Sequence, residues 1–286
     1  MVLLMSEVKC LVCGSSQLKS SLEGLVECKM CGFISADLSV SDYDLKMLYD
    51  SGYFNGEEYV DYLSDKQIIQ KNFRARLNKL QKYTGLLDNK TLFEVGCAYG
   101  FFLEITQKLL NRCSGIDISD DAVKYAHEIL GIKNVMAGDF LDVEISQKYD
   151  IFCLWDTIEH LRDPDLYIRK IYECTNKDGY IAITTGDIGS LNAKVRRNKW
   201  RQIHPPTHLH YFSENTLKKM LINNGYDIVY CGHPGSLMSM NNILYGVLVI
   251  KKNYPMLYKI LKIMQVHRLS VYVNLFDYLY VIGRKK

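Results

Sequence analysis

The sequence predicts an α/β fold built on a parallel sheet, with a small cysteine-rich unit ahead of it and a helical insertion near the C-terminus. Three observations carry this. The run Leu92-Phe-Glu-Val95 is short and apolar, opens onto a turn bracketed by Gly96 and Gly100, and is followed by helical spacing at Phe101, Ile105 and Leu109. A short apolar run bounded by turn residues is the pattern of a strand covered on both faces. Further strand-like runs lie at 114–118, 135–139, 150–155 and 180–185, with room for helices between most of them. That alternation belongs to parallel sheets joined by helical crossovers. Finally, Cys10-Leu-Val-Cys13-Gly and Cys28-Lys-Met-Cys31-Gly place two C-x-x-C turns before the first long apolar segment.

Composition bounds the function. A chain of 286 residues holds one large domain and a small one, and an apolar share of 48% allows a sizeable core. A net charge of only +3 argues against a protein built chiefly to bind nucleic acid. The start, MVLLMSEVKC, has no basic segment ahead of its short apolar run, so no secretory signal is expected. The uncharged stretch Gly235–Ile250 contains Asn241 and Asn242 and is too short to span a bilayer. The expectation is a cytoplasmic protein. Of nine cysteines, Cys97, Cys113, Cys153, Cys174 and Cys231 read as small core hydrophobes, and the odd total argues against a disulfide framework.

Taken in order, the first unit is a ribbon over 1–36. Each C-x-x-C-G turn can aim two thiolates at one ion, and four thiolates in a tetrahedron suit a closed structural Zn2+ site at Cys10, Cys13, Cys28 and Cys31. Strands are expected near 18–21 and 25–27. So small a unit has little core, and metal ligation supplies its folding energy. Residues 37–90 follow as a tyrosine-rich lead-in (Tyr43, Tyr49, Tyr53, Tyr59, Tyr62, with Phe54) and an amphipathic helix over 65–83. Ile69, Phe73, Leu77 and Leu80 form its apolar face, Arg74, Arg76 and Lys79 are expected to be solvated, and Gly85 stops it.

The glycine turn comes next. Its spacing, Glu94-x-Gly96-x-x-x-Gly100 with Ala98 between, is not G-x-G-x-x-G, which disfavours a dinucleotide pyrophosphate. Glycine allows a ligand close to the backbone, and the following helix offers unpaired N–H groups. The second strand ends in Asp117-Ile118, and an acid there, about 20 residues beyond the turn, suits a ribose hydroxyl pair. Ser119 is a plausible N-cap for a helix through Leu130. The third strand ends at Asp139-Phe140 and the fourth at Trp155.

Glycine loop and ribose acid together resemble the class I methyltransferases that bind S-adenosylmethionine, over roughly Thr91 to Lys286. The resemblance implies a Rossmann-like seven-stranded methyltransferase sheet with Glu94, Gly96, Ala98, Gly100, Asp117, Ile118 and Trp155 around the donor. It also implies Asp139 and Phe140 at the adenine, and Tyr53 or Tyr59 in a lid. The segment Asp156-Thr-Ile-Glu159-His160-Leu-Arg-Asp163-Pro164 resembles the D-x-x-E-H-x-x-D-P stretch of a small-molecule family that includes ubiquinone-biosynthesis O-methyltransferases. In that resemblance Asp156, Glu159 and His160 can hold a divalent cation such as Mg2+; the other reading is a hydrogen-bonded structural pair of Glu159 and His160. Pro164 starts a helix to Cys174.

After the fifth strand, Lys194, Arg196, Arg197, Lys199 and Arg201 crowd a loop around Trp200, and His204-Pro-Pro-Thr-His208-Leu-His210-Tyr-Phe-Ser213 follows. The tail resembles a segment of methyltransferases from sugar, lipid and cell-surface glycan pathways. A hydroxyl acceptor needs a base, and histidine titrates near working pH, so His208, then His160, then His204 are the candidate bases. The basic run suits a phosphate-bearing acceptor; its alternative is a solvated loop. Residues 226–231 and 278–286 read as the last two strands. Between them, residues 233–275 form an insertion whose segment 256–266 is a basic amphipathic helix, expected to cover the acceptor, touch a membrane surface or make a dimer contact. The methyltransferase domain is thus expected over 91–286. The expected function is methyl transfer from S-adenosylmethionine to a hydroxyl of a sugar, nucleotide sugar or related small molecule. The alternative is an RNA methyltransferase whose ribbon contacts RNA. The acceptor and the oligomeric state are not written in the sequence.

Overall fold

The computed structural model describes residues 9–22, 24–36, 62–251, 254–264 and 269–286. The tyrosine-rich lead-in, with Tyr53 and Tyr59, lies outside them, apart from Tyr62.

The chain begins in the ribbon: β1 (Leu18–Ser20), β2 (Leu25–Cys28) and β3 (Ile34–Ala36) are antiparallel neighbours. Helix α1 (Lys66–Thr84) ends at Gly85, whose φ of 76° a glycine adopts without cost. The units β4 (Thr91–Val95), α2 (Phe101–Thr106), β5 (Arg112–Asp117), α3 (Asp120–Glu128), β6 (Val135–Ala137), β7 (Tyr149–Trp155), α4 (Pro164–Cys174) and β8 (Thr175–Gly186) follow. Ser119 caps α3 by accepting from the Ala122 amide, and Pro164 opens α4. Then come α5 (Leu191–Arg196), the two-residue β9 (His210–Tyr211), α6 (Glu214–Asn223), β10 (Tyr226–Gly232), β11 (Ser236–Ser239), α7 (Met240–Leu244), α8 (Pro255–Ile263), β12 (Ser270–Val273) and β13 (Tyr278–Lys285).

Seven strands form the central sheet in the order β10-β13-β8-β7-β4-β5-β6. Only β13 runs against its neighbours. Strand side chains alternate between faces, so each strand serves two cores. Phe93, Phe152, Leu154, Ile181, Ile183, Leu279 and Val281 fill one. Leu92, Ile151, Cys153, Ala182, Tyr280 and Ile282 fill the other, with Phe73, Leu77 and Leu80 of α1. Leu80 is fully buried; removing such a side chain costs ~2–5 kcal/mol.

The ribbon is part of this body. Cys10, Val12, Cys28 and Phe33 share a core with Phe212, Met220 and Leu221, and the Asn223 amide donates to the Val12 carbonyl at 2.9 Å. Strand β3 also pairs with β9, placing Ile34 opposite Tyr211 and Ser35 opposite His210. Cysteine sulfurs approach at 3.5 Å (Cys10 and Cys31) and 3.6 Å (Cys13 and Cys28). Sulfurs bound at about 2.3 Å in a tetrahedron stand about 3.8 Å apart, so the spacing fits one Zn2+.

Three expectations are corrected. The helix expected from Phe101 to Leu110 stops at Thr106, whose hydroxyl folds back onto the Phe102 carbonyl at 3.1 Å. The basic loop is α5 followed by a 3-10 turn over 197–199. Helix α8 does not lie over the cavity: Met256, Ile260, Ile263 and Met264 are exposed. The stem of the insertion, β11 paired with β12, stands there instead, docked on α1 through Asn72, which bonds both the amide and the carbonyl of Leu237. No described helix is long and apolar enough to cross a membrane.

Candidate active site

A cavity of about 530 Å3 opens at the carboxyl ends of β4, β5 and β7, where ligands of open α/β sheets bind. One half of it is built by the glycine turn. Gly96 sits at φ 74°, and a Cβ there would lie 2.5 Å from Thr157 Cγ2. Gly100, at φ 77°, turns the chain into α2 behind the cavity wall, and Ala98 takes the left-handed region at φ 45°. Asp117 is buried at the end of β5, accepting from the Ala98 amide at 2.7 Å and the Ser119 amide at 3.0 Å. Burial raises its pKa, and those amides pull the other way.

Glu94 is 2% exposed, and its Oε2 has no hydrogen-bond partner among the described residues. Burial first, then the charge of Asp117, holds its pKa well above the usual carboxylate range, against the pull of Arg76. Trp155 Nε1 is likewise buried and has no partner among the described residues. Two unsatisfied polar atoms and a backbone cradle with no room for a Cβ all meet at one cavity, which fits a polar ligand laid along the turn. Asp139 closes the far end, accepting from the Leu141 amide at 2.7 Å and the Tyr167 hydroxyl at 2.5 Å. Phe140 is buried and stacks on Tyr167 at 6.0 Å. Ile118 lines the same wall. Tyr62 lies flat on Phe101, centroids 5.3 Å apart and planes 10° apart, and borders the cavity.

The other half is polar. Asp156, just past β7, sits at φ 56°, a left-handed position costing roughly 1–2 kcal/mol for a non-glycine residue. A ring of side chains holds it there. Arg76 Nη2 donates to Asp156 Oδ2 at 3.1 Å and to the Tyr278 hydroxyl at 2.8 Å; Tyr278 donates to Thr184 Oγ1, which donates to Asp156 Oδ1, both at 3.1 Å. The Arg76 guanidinium also lies 5.4–5.5 Å from the rings of Phe73, Trp155 and Tyr278. Arg76 is therefore not the solvated residue the helix pattern indicated; its side chain is 13% exposed. A signal was present, since Arg76 continues the stripe from Ile69 and Phe73 at i+7 and i+3. Tyr278, which closes the ring, carried no such mark.

Beyond the ring stand the histidines. His160 Nδ1 faces the Thr207 carbonyl at 2.8 Å. Its ring lies 4.6 Å from His208, which lies 4.3 Å from His204. His160 and His208 line the cavity; His204 backs His208. His208 is 5% exposed, and burial, reinforced by the charges of His160 and His204, pushes its pKa down to about 2. Glu159 is 4% exposed, and burial, then Asp156, pushes it up to about 8. The donor atoms of Glu159, His160 and His208 all lie within 4.8 Å of one another. Asp156, expected among the cation ligands, is outside that group and engaged by Arg76. Of the basic run, Arg201 reaches the cavity, with Arg162 also on its wall, whereas Lys194, Arg196, Arg197 and Lys199 are exposed. Trp200 anchors the run by donating to the buried Asp277 at 2.9 Å, and Arg201 lies 3.8 Å from the same carboxylate.

A seven-stranded sheet with one reversed strand, a glycine turn after β4 and an acid ending β5 define the class I, S-adenosylmethionine-dependent methyltransferases. The sequence matches the model of a family described as a methyltransferase domain over residues 65–230, from α1 into β10, and the chain belongs to that family. It carries a methyltransferase domain. Among curated proteins it is 24% identical over 143 residues to a malonyl-[acyl-carrier protein] O-methyltransferase of Calditerrivibrio nitroreducens, covering 49% of this chain and 55% of that one. It is 28% identical over 116 residues to a ubiquinone biosynthesis O-methyltransferase of Nitrosomonas europaea, covering 38% and 49%. The chain thus spans about half the length of these relatives. The fold is shared with the magnesium protoporphyrin IX methyltransferase of Synechocystis, solved with S-adenosylhomocysteine bound, at a TM-score of 0.54, 15% identity, and 86% of this chain against 100% of that one.

Proposed function

We propose that the protein methylates a hydroxyl of a small anionic acceptor, a sugar phosphate or nucleotide sugar in the first instance, and that Cys10, Cys13, Cys28 and Cys31 hold a structural Zn2+. The observation that carries the reading is one cavity lined by Asp117 and Glu94 at one end and by His160, His208 and Arg201 at the other. The names of the curated relatives, both O-methyltransferases, support oxygen as the acceptor atom.

In this reading the Asp117 carboxylate takes the ribose hydroxyls of the donor, and Asp139 with Phe140 borders its adenine. Glu94, ionised by a cation laid beside it, faces the amino acid portion. The donor brings a methyl carbon already activated by its sulfonium. The acceptor oxygen attacks that carbon in line; the O–C bond forms, the C–S bond breaks, and the electron pair returns to sulfur. The chain has two tasks, alignment and removal of one proton. Arg162 and Arg201 fit the acceptor's negative group. The Glu159–His160–His208 group meets its hydroxyl.

The experiment is a labelled-methyl screen across sugar phosphates, nucleotide sugars, their uncharged counterparts and RNA. The expected result is label in a base-stable ether of an anionic sugar, with KM raised at least tenfold and kcat little changed in Arg201→Ala. Label only in RNA, or equal KM for charged and uncharged sugars, overturns the reading.

A further inference from the structure

We propose that the two-stranded stem of the insertion builds an apolar subsite for a hydrocarbon chain carried by the acceptor. The acceptor is then amphipathic, with an anionic head inside the cavity and an alkyl or prenyl chain leading out of it. The register of the stem carries this. Strands β11 and β12 pair Ser236 with Val273 and Met238 with Val271. Residues directly opposite in an antiparallel pair point to the same face. Ser236, Met238 and Val273 line the cavity, as does Leu275 just beyond β12, so this is the face turned toward it. Leu237 and Tyr272 pair on the opposite face. Val271 continues the cavity-side row outward and is 43% exposed; Leu269, just before β12, is 60% exposed. From Leu275 through Val273 and Val271 to Leu269, an aliphatic row runs from the cavity wall to the surface. At about 3.3 Å per extended residue it spans about 20 Å. Apolar side chains that line a cavity at one end and meet water at the other form a ligand groove rather than a core.

The ends of the row select the ligand. Its inner end lies beside a cation: Leu275 is two residues from Asp277, whose carboxylate stands 3.8 Å from Arg201, and Arg201 and Arg162 both line the cavity. Facing the stem on the same cavity are Ile69 and Phe73 of α1, the helix whose Asn72 holds Leu237. The insertion carries no Asp or Glu between residues 228 and 276, so it sets no negative charge against an anionic head. Cations within and aliphatic side chains from there outward match a ligand with its parts in that order. A bare sugar phosphate would fill the inner end and leave Val271 and Leu269 in water. A bilayer would cover the outer end without entering the cavity. The continuity of the row with the cavity wall therefore favours a single chain attached to the acceptor. The anionic head rests on the acceptor reading given above; the apolar subsite does not.

The test uses the full-length protein loaded with S-adenosylhomocysteine. Dodecyl phosphate, kept below its micelle concentration, and butyl phosphate are titrated by calorimetry into the wild type, Val271→Asp and Met238→Ser, with nucleoside affinity as the check on folding. The wild type is expected to bind one equivalent of dodecyl phosphate at least tenfold more tightly than butyl phosphate. That advantage should fall at least threefold in both variants, with the nucleoside bound within threefold of wild type. Equal affinity for the two phosphates, several equivalents of the longer one, or an advantage undiminished in either variant overturns the subsite. Should a variant lose the nucleoside as well, a photoreactive diazirine on the alkyl chain decides in the wild type: label on residues 236–238 or 269–275 supports the subsite, and label elsewhere overturns it. Binding to phosphatidylglycerol vesicles but not to monomeric dodecyl phosphate assigns the row to a bilayer and overturns the subsite. So does a dimer that Val271→Asp dissociates and that binds no dodecyl phosphate. Short anionic sugars methylated on oxygen, with no gain from an added chain, leave the acceptor reading standing and overturn the subsite alone. A chain preference that survives Arg201→Ala, with no anionic acceptor ever methylated, supports the subsite and counts against the acceptor reading instead.

Discussion

Gly96→Ala tests the donor cradle through the space it lacks. The new Cβ would stand 2.5 Å from Thr157 Cγ2 and 2.6 Å from Thr157 Oγ1, at a φ of 74°. The left-handed backbone costs roughly 1–2 kcal/mol for alanine. Displacing Thr157 adds about 1–3 kcal/mol as an overpacking cost. A loss of about 2–5 kcal/mol in urea unfolding is expected, with donor binding weakened at least tenfold. Thr157→Ala removes both clashing atoms and leaves the backbone cost. Alone, it gives up the hydroxyl bond to the Trp155 carbonyl at 3.1 Å, worth about 1 kcal/mol. The double variant should therefore be less damaged than the two single losses added together, by about 1–3 kcal/mol. A Gly96→Ala loss below 0.5 kcal/mol, or additivity within about 0.3 kcal/mol, would refute the claim that contact with Thr157 fixes the turn.

Three further outcomes follow from the same geometry. Glu94 has a folded-state pKa above its unfolded value, so the unfolded chain loses that proton first. The stability it contributes is present below about pH 4.3 and is lost as pH rises toward the folded value, by up to about 1.4 kcal/mol per pH unit. Glu94→Gln should thus gain on wild type steadily from pH 5 to 7 in urea unfolding, and a constant difference would contradict the burial argument. Arg76→Met leaves Asp156 without its cation in a strained turn; kcat should fall at least tenfold with donor affinity within threefold, and an unchanged kcat would show the ring to be idle. Cys28→Ser should lower the melting temperature and methyl transfer together while donor affinity holds, because β3 holds β9 and the loop carrying His208. A stable, fully active Cys28→Ser would separate the ribbon from the site.

The half of the cavity around the glycine turn was legible because local rules govern it. Glycines at φ above 70°, a serine cap, a proline opening α4 and an acid ending β5 each act within a few residues of their own position. The polar half depends on contacts across the whole chain. Arg76 reaches Tyr278, Trp200 reaches Asp277, and β3 meets the two-residue β9 from far upstream. Strands of two or three residues have no periodicity to read, and a cation in an apolar helical stripe looks solvated until its carboxylate is placed. Residue type alone marks His208 as a candidate base; its burial, which lowers its pKa, is a tertiary property. The amphipathic pattern at α8 does mark a helix, but Leu257, Ile260 and Met264 on its apolar side stay largely exposed. Tyr53 lies outside them.

The most direct measurement is a crystal structure of the protein with S-adenosylhomocysteine. The account requires the ribose hydroxyls on the Asp117 carboxylate, the adenine beside Asp139 and Phe140, and the sulfur turned toward His160 and Asp156. A nucleoside seated anywhere else, or one whose sulfur faces away from the histidines, would contradict it.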